Sequence, residues 1–304
     1  MITTVSDAKI TDNETQYTLS EFARSYLRSR HQVKDTLVKV FLSRNRKLVA
    51  ELEEQRNTRV NLYSPRTIRA SNKSEIVVSG LLKKALELES LGNFDEALKL
   101  TEQARSLLPY FAEIYRIDGW IRSRQGDTIG ANEAYERAIE YNPQYAPLRY
   151  FYGNFLMHSA EDTEGAIAMF KAAESILPED AEIKLQIARC FLYMKDFPQA
   201  KRYLDAAEAI NSKNHFVTGK LHDLRIQLLA RRADFEARSY KKVEALTTIE
   251  EMRDYYQSLP SSMIDAKIHQ SIRKVKQNLE WLYRQEDPMV SSWSSELLNW
   301  LKTV

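Results

Sequence analysis

The chain has 304 residues, 43% of them hydrophobic and 28% charged, which allows two ordinary domains or one longer repeat array. Its 44 basic and 42 acidic residues leave a net charge of +2, which argues against a general binder of polyanions. The one cysteine, Cys190, excludes a disulfide framework and fits a reducing compartment. The N-terminus has no basic start followed by an apolar run, and no stretch of about 18 apolar residues occurs. We therefore expect a cytoplasmic protein without a secretory signal or a membrane span.

Residues 1–77 are predicted to form a helical extension that begins with short strands. Val5–Ile10 and Gln16–Thr18 are the strand candidates. An amphipathic helix is expected over Leu19–Arg30, because a capping threonine or serine precedes its apolar face. A second helical pattern covers residues 32–56.

The boundary before the next part of the chain is predicted at residues 57–75. This stretch is rich in turn-forming residues, including Ser64-Pro65 and Ser71-Asn72. Residues 1–77 carry a net charge of +5. A solvated surface explains so small an excess, and nucleic-acid binding through this basic part remains an unlikely alternative function.

The middle of the chain repeats with a period of 34 residues. In Tyr115–Pro143, two helical patterns flank a polar turn, and small residues recur at fixed places before a closing proline. The marks of this copy are Gly119, Gly126, Ala131, Ala138 and Pro143, and 34 residues earlier stand Ala85, Gly92, Ala97, Ala104 and Pro109. A third copy has one residue inserted, expected in the turn His158–Glu164. A fourth has Ser212 in place of the proline.

This period and these small residues resemble the tetratricopeptide repeat over Val78–Asn214. The resemblance implies an all-α, right-handed superhelical solenoid of helix-turn-helix repeats, with helical extensions at both ends. The four repeats are expected at residues 78–111, 112–145, 146–180 and 181–214. Thr101 and Leu204 stand where the family usually has a bulky aromatic residue, so packing there is expected to be less regular.

Residues 215–304 are predicted to continue the array with helices that no longer show the 34-residue signature. The helical patterns cover Phe216–Tyr240, Lys242–Ser258, Met263–Gln285 and Ser291–Lys302. The last pattern places Trp293, Leu297, Trp300 and Leu301 on one face. Because solenoid ends need an atypical cap, we expect this helix to be docked. A free helix that binds a membrane or a partner is the alternative, but it lacks the basic polar face expected at membranes.

No catalytic, cofactor or metal site is predicted. The chain lacks the phosphate-binding loop, the nucleophile elbow and paired-cysteine motifs. Its five histidines do not combine with carboxylates or thiols at ligand spacing. We therefore expect a protein that is not an enzyme.

The resemblance implies that the first helix of each repeat lines a concave groove. The face so placed carries a set of Arg, Trp and Tyr typical of binding hot spots: Arg116, Trp120, Arg124, Tyr150, Asn154, Arg189 and Tyr193. Packing of Trp120 and Tyr150 between repeats is the structural alternative. The pattern by which some members clamp the C-terminal carboxylate of a chaperone is absent, since Leu82 and Leu86 occupy its place.

The predicted function is therefore non-catalytic protein binding, with a partner peptide or helix that carries some acidic residues in the groove. A second, shorter resemblance supports an alternative. The stretch TQYTLSEFARSYL, residues 15–27, is similar to the end of the winged-helix segment in STAND-type signalling NTPases. This resemblance implies that the repeats are the ligand-sensing array of such a protein.

Overall fold

The computed structural model describes residues 2–4, 17–19, 43, 61–210 and 215–304. These residues fall into two compact units, one within residues 1–60 and 69–77 and the other formed by 61–68 with 78–304. In the first unit, β1 (Ile2–Thr4) pairs antiparallel with β2 (Tyr17–Leu19). The strand predicted at Gln16–Thr18 overlaps β2. The other elements predicted before residue 57 lie outside the described residues, as does most of the stretch that resembles the winged-helix segment.

The rest of the described chain is helical. Its first eight α-helices are α1 (Lys73–Ser90), α2 (Phe94–Leu107), α3 (Ala112–Gln125), α4 (Thr128–Tyr141), α5 (Ala146–His158), α6 (Thr163–Ile176), α7 (Ala181–Tyr193) and α8 (Phe197–Ala209). They are followed by α9 (His215–Arg238), α10 (Lys242–Ser258), α11 (Ala266–Arg273), α12 (Lys276–Tyr283) and α13 (Pro288–Leu301). Consecutive helices pack in pairs, which confirms the predicted all-α solenoid. No helix of the described part is both long and apolar enough to cross a bilayer.

Capping aspartates and glycines define the turns between the helices. Aspartates cap the helices that follow most of the turns; the carboxylate of Asp127, for example, accepts from the backbone N–H of Gly130 at 2.9 Å. Gly92 and Gly126 close the first two turns with positive φ, a conformation that glycine adopts without strain. The turn between α5 and α6 is longer than the other three and contains Glu161 at a φ of 56°. The inserted residue of the third copy therefore lies where the sequence predicts it.

Small residues let the two helices of a repeat approach closely. A Cβ atom added at Gly153 would lie 2.8 Å from the ring of Phe170, and one added at Gly119 would lie 3.0 Å from the ring of Tyr135. Both rings are almost fully buried. The alanines that recur on the second helices are also buried without residual exposure: Ala97, Ala131, Ala166 and Ala200. Close packing of this kind fills the interior of each repeat.

The C-terminal helices differ from the prediction in one place. The pattern predicted as a single helix over Met263–Gln285 is divided into α11 and α12. The N–H groups of Lys274 and Val275 donate to carbonyls only three residues back, which tightens the backbone and turns the almost fully buried Val275 inward. Helix α13 packs on α12 and α10 with Leu297 fully buried, so it is docked, as expected for a cap. At the other end, α1 begins at Lys73, five residues before the predicted first repeat.

Candidate functional site

Arg116 is the predicted groove residue that the structure places most deeply. It lies on α3 with only 1% of its surface exposed. Its Nε donates to the carboxylate of Glu113 at 2.5 Å, and its guanidinium carbon lies 4.6 Å from the centre of the Phe151 ring. Its two terminal nitrogens donate to backbone carbonyls, to Pro65 O at 3.2 Å and to Thr67 O at 2.8 Å. Arg116 therefore holds a stretch of main chain that is about fifty residues away in sequence.

That stretch, residues 61–68, is called the docked segment below. It folds into two consecutive turns, closed by Ser64 N–H donating to Asn61 O at 3.2 Å and by Thr67 N–H donating to Ser64 O at 3.0 Å. Ser64 and Pro65 occupy the first two places of the second turn, where these residue types are favoured. The Thr67 hydroxyl also donates to Asn61 O at 2.8 Å. These three bonds lie within the segment, and its last residue, Ile68, is buried in the apolar cluster of the first repeats.

Tyr63 joins the docked segment to α5 and to the start of α7. Its ring lies against Tyr150 of α5, with the ring centres 4.2 Å apart. Its hydroxyl donates to one carboxylate oxygen of Asp180 at 2.6 Å, and the other oxygen of Asp180 caps α7 by accepting from Ile183 N–H at 3.1 Å. Burial, followed by the negative charge of Asp180, raises the pKa of the Tyr63 hydroxyl well above its usual range. The hydroxyl is therefore held protonated as a donor.

Behind Tyr150 lies a buried polar network. The Tyr150 hydroxyl donates to Glu182 at 2.7 Å, and the same carboxylate oxygen accepts from Gln186 at 3.0 Å and from Lys220 at 2.6 Å. Burial, and then the charge of Glu182, raises the pKa of the Tyr150 hydroxyl. Arg189 donates to the amide oxygen of Gln186 at 3.0 Å. A satisfied network of this kind fixes the position of the Tyr150 ring that receives Tyr63.

Two other predicted groove residues have structural partners on neighbouring helices. Trp120 is half-buried and packs against the apolar cluster of the first repeats, as the structural alternative anticipated. Arg124 is 62% exposed and pairs with Glu89 of α1 at 3.2 Å. An exposed ion pair of this kind contributes little to stability.

The remaining predicted residues lie on a more open part of the same helices. Asn154 is half-buried. Tyr193 is 48% exposed and lies under Arg231, whose guanidinium carbon is 4.9 Å from the ring centre. Arg189 is half-buried near His158; desolvation, followed by the charge of Arg189, lowers the pKa of His158. We call Arg124, Arg189 and Tyr193, with His158, the open half of the groove.

Two residues of the predicted site are therefore less accessible in the structure than the sequence leads us to expect. Arg116 and Tyr150 are both buried and both contact the docked segment, so neither is an exposed side chain in this structure. Tyr63 and Asp180, which complete this arrangement, were not among the predicted site residues. Ser64-Pro65 signalled a turn, and nothing in the local sequence signalled where that turn docks.

Cys190 and His222, whose side chains could in principle take part in catalysis or metal binding, are each engaged in packing or hydrogen bonding. Cys190 is fully buried, its sulfur lies 3.5 Å from that of Met157, and burial raises the pKa of its thiol to about 12. His222 is hydrogen-bonded to the Tyr255 hydroxyl at 2.7 Å. Within the described residues, no three His, Cys, Asp or Glu side chains come together in a way that would hold a metal ion.

Part of the sequence that forms the helix pairs matches a known protein family. A family model for the tetratricopeptide repeat matches residues 158–215. The curated human protein Superkiller complex protein 3 is 28% identical to this chain over 98 residues. That match spans 32% of this chain and only 6% of the human protein. The family match confirms the tetratricopeptide resemblance that the 34-residue period predicts.

Several solved structures are similar to this chain at low sequence identity. PilF of Pseudomonas aeruginosa is 16% identical, with a TM-score of 0.49, covering 76% of this chain and 93% of its own. MamA is 24% identical, with a TM-score of 0.39, covering 44% and 78%. YrrB, described as a TPR protein with an unusual peptide-binding site, is 17% identical, with a TM-score of 0.43, covering 60% and 87%.

Proposed function

We propose that this chain is a non-catalytic protein-binding module whose groove holds a short segment of a partner protein. Helical repeats of this kind are typical of protein–protein interaction scaffolds. The observation that carries the proposal is the pair of hydrogen bonds from Arg116 to Pro65 O and Thr67 O. A side chain that recognises main-chain carbonyls does not depend on the side chains of the segment it holds. Arg116 is thus suited to binding a peptide.

The open half is the part of the groove that a partner meets first. It offers the half-exposed ring of Tyr193, the half-buried Arg189 on the same helix, and the exposed Arg124 on α3. Tyrosine and arginine are the residue types that most often dominate binding energy at interfaces. Because the two arginines carry positive charge, a partner segment with acidic residues is favoured here.

The experiment that tests this proposal selects peptides from a random display library on the full chain. The affinity of the selected peptide is then measured by calorimetry for the chain and for the double variant Arg189→Ala with Tyr193→Ala. Truncating hot-spot residues typically costs about 2 kcal/mol or more each, so we expect affinity to fall at least about thirty-fold.

The matched control is the double variant Ile129→Ala with Arg137→Ala, two exposed residues of the outer helix α4. It also removes one large apolar side chain and one arginine, and we expect it to retain full affinity. A selected peptide that binds both double variants as tightly as it binds the unchanged chain would contradict the proposed site. Circular dichroism of each variant shows whether helix content is preserved.

A further inference from the structure

The docked segment makes the contacts that a bound peptide would make. Its Pro65 and Thr67 carbonyls accept from Arg116, its Tyr63 ring lies on Tyr150, and its Tyr63 hydroxyl donates to Asp180. We propose that residues 61–68 are an intramolecular ligand of the groove, and that a partner segment carrying an unmodified tyrosine competes with them for it. This inference rests on the proposed function and names the chemistry of the partner.

The surroundings of the Tyr63 hydroxyl define which side chain the partner must present. The carboxylate of Asp180 accepts a hydrogen bond from this hydroxyl at 2.6 Å, and the negative charge of Glu182 also acts on it. A phenylalanine would leave that oxygen of Asp180 without its donor, and sites built to bind a hydroxyl discriminate strongly against analogues that lack it. A phosphorylated tyrosine would bring its own negative charge against two carboxylates. The site therefore selects tyrosine and rejects phosphotyrosine.

The docked segment is only partly enclosed by the rest of the chain. Its two turns are closed by hydrogen bonds among its own atoms, none of which involves the groove. Asn61 and Arg66 are exposed and Tyr63 is half-buried, whereas Ile68 is 5% exposed and packs in the apolar cluster of the first repeats. Release must therefore break the hydrogen bonds to Arg116 and Asp180, the ring contact with Tyr150 and the packing of Ile68. Because the segment is tethered just ahead of α1, its effective concentration at the groove is on the order of millimolar, and a free peptide must compete against that value.

The test uses a fluorescein-labelled, end-capped octapeptide of residues 61–68, NLYSPRTI, titrated with the full chain and followed by anisotropy. The variant Tyr63→Ala weakens the tethered segment without altering the groove, so we expect it to bind the octapeptide at least about ten-fold more tightly than the unchanged chain does. The matched control Arg66→Ala alters an exposed side chain of the same segment and should bind as weakly as the unchanged chain.

A second substitution locates the octapeptide in the groove. Asp180→Ser keeps a hydroxyl that can cap α7 but lacks the carboxylate oxygen that accepts from tyrosine. Combined with Tyr63→Ala, it should reduce octapeptide affinity about ten-fold or more. An octapeptide with phenylalanine in place of tyrosine should bind more weakly to Tyr63→Ala, and one with phosphotyrosine should show no binding.

The outcomes separate this inference from the proposed function. Equal octapeptide affinity of the unchanged chain and Tyr63→Ala overturns the competition, even if the display-selected peptide still depends on Arg189 and Tyr193. Absence of octapeptide binding to every variant makes the segment a fixed part of the fold and overturns it as well. A dimer that dissociates in Tyr63→Ala, seen by light scattering, would place the segment on a second copy and overturn the intramolecular assignment. Melting curves establish that each variant is folded.

Discussion

At the scale of single residues, Arg116 is a buried, paired charge whose removal by mutation should strongly destabilise the fold. It is buried beside the Glu113 carboxylate and donates to two carbonyls. We expect Arg116→Ala to lower the free energy of unfolding by about 3–5 kcal/mol, because the Glu113 carboxylate then loses the cation with which it is buried. Urea unfolding followed by circular dichroism measures this change.

Arg124 supplies the comparison for this prediction, because it lies on the same helix and also forms an ion pair. Its side chain is 62% exposed, and its bond to Glu89 is longer, at 3.2 Å. Exposed pairs contribute up to about 1 kcal/mol, so Arg124→Ala should change the free energy of unfolding by no more than that. Equal destabilisation by the two substitutions would show that burial of Arg116 does not hold in solution.

Arg116 and Tyr150 lie 34 residues apart, so the repeat period puts them at equivalent positions of two first helices, and the resemblance predicts that these positions line a groove. The sequence could not show that both are buried. The hydrogen bonds from Arg116 to Pro65 and Thr67 span about fifty residues, and the bond from Tyr63 to Asp180 spans 117. No local pattern records such a contact.

At the scale of helices, the closest packing lies between the two helices of a repeat. The Gly153 backbone of α5 approaches the Phe170 ring of α6 so closely that an added Cβ would lie 2.8 Å from it. The ring has no residual exposure and no room to move aside. We expect Gly153→Ala to lower the free energy of unfolding by about 1–3 kcal/mol, the usual effect of overpacking a core. Thermal melting monitors the change.

Gly80 provides the matched substitution, since it also lies within a helix, α1. A Cβ atom added there meets nothing within 4 Å. Alanine is the better helix former, so Gly80→Ala should raise the free energy of unfolding by about 0.5–1 kcal/mol. If Gly153→Ala were also stabilising, α5 and α6 would lie further apart in solution than they do in this structure.

The helices of the repeats could be predicted closely because period, turn residues and small residues all indicate the same boundaries. The C-terminal part was harder to predict, because its apolar pattern runs from Met263 to Gln285 without glycine or proline. The break at Lys274–Val275 results from tertiary packing that turns Val275 into the core. A pattern of apolar spacing alone does not distinguish such a break from a continuous helix.

At the scale of the whole molecule, the described solenoid ends in α13. The face of this helix that carries Val290 and Leu297 covers α12 and α10, whose residues Met252, Leu279 and Leu282 are fully buried. Removal of residues 288–304 would expose that apolar surface. We therefore expect the shortened chain to associate with itself as its concentration rises, which light scattering after gel filtration would show.

A shorter deletion serves as the control. Removal of Thr303 and Val304 leaves all of α13 in place, and we expect that chain to retain the association state of the full chain. A chain without residues 288–304 that keeps the association state of the full chain would show that α13 does not protect an apolar end.

The docked segment also has a mechanical consequence. In a repeat array each unit contacts only its neighbours, so the array deforms like a spring, with small strains distributed along its length. The segment instead braces α3, α5 and the start of α7 through Arg116, Tyr150 and Asp180. Widening the array on this side would require those bonds to break. Exchange of the segment for a partner would therefore alter the elasticity of the protein as well as the occupancy of its groove.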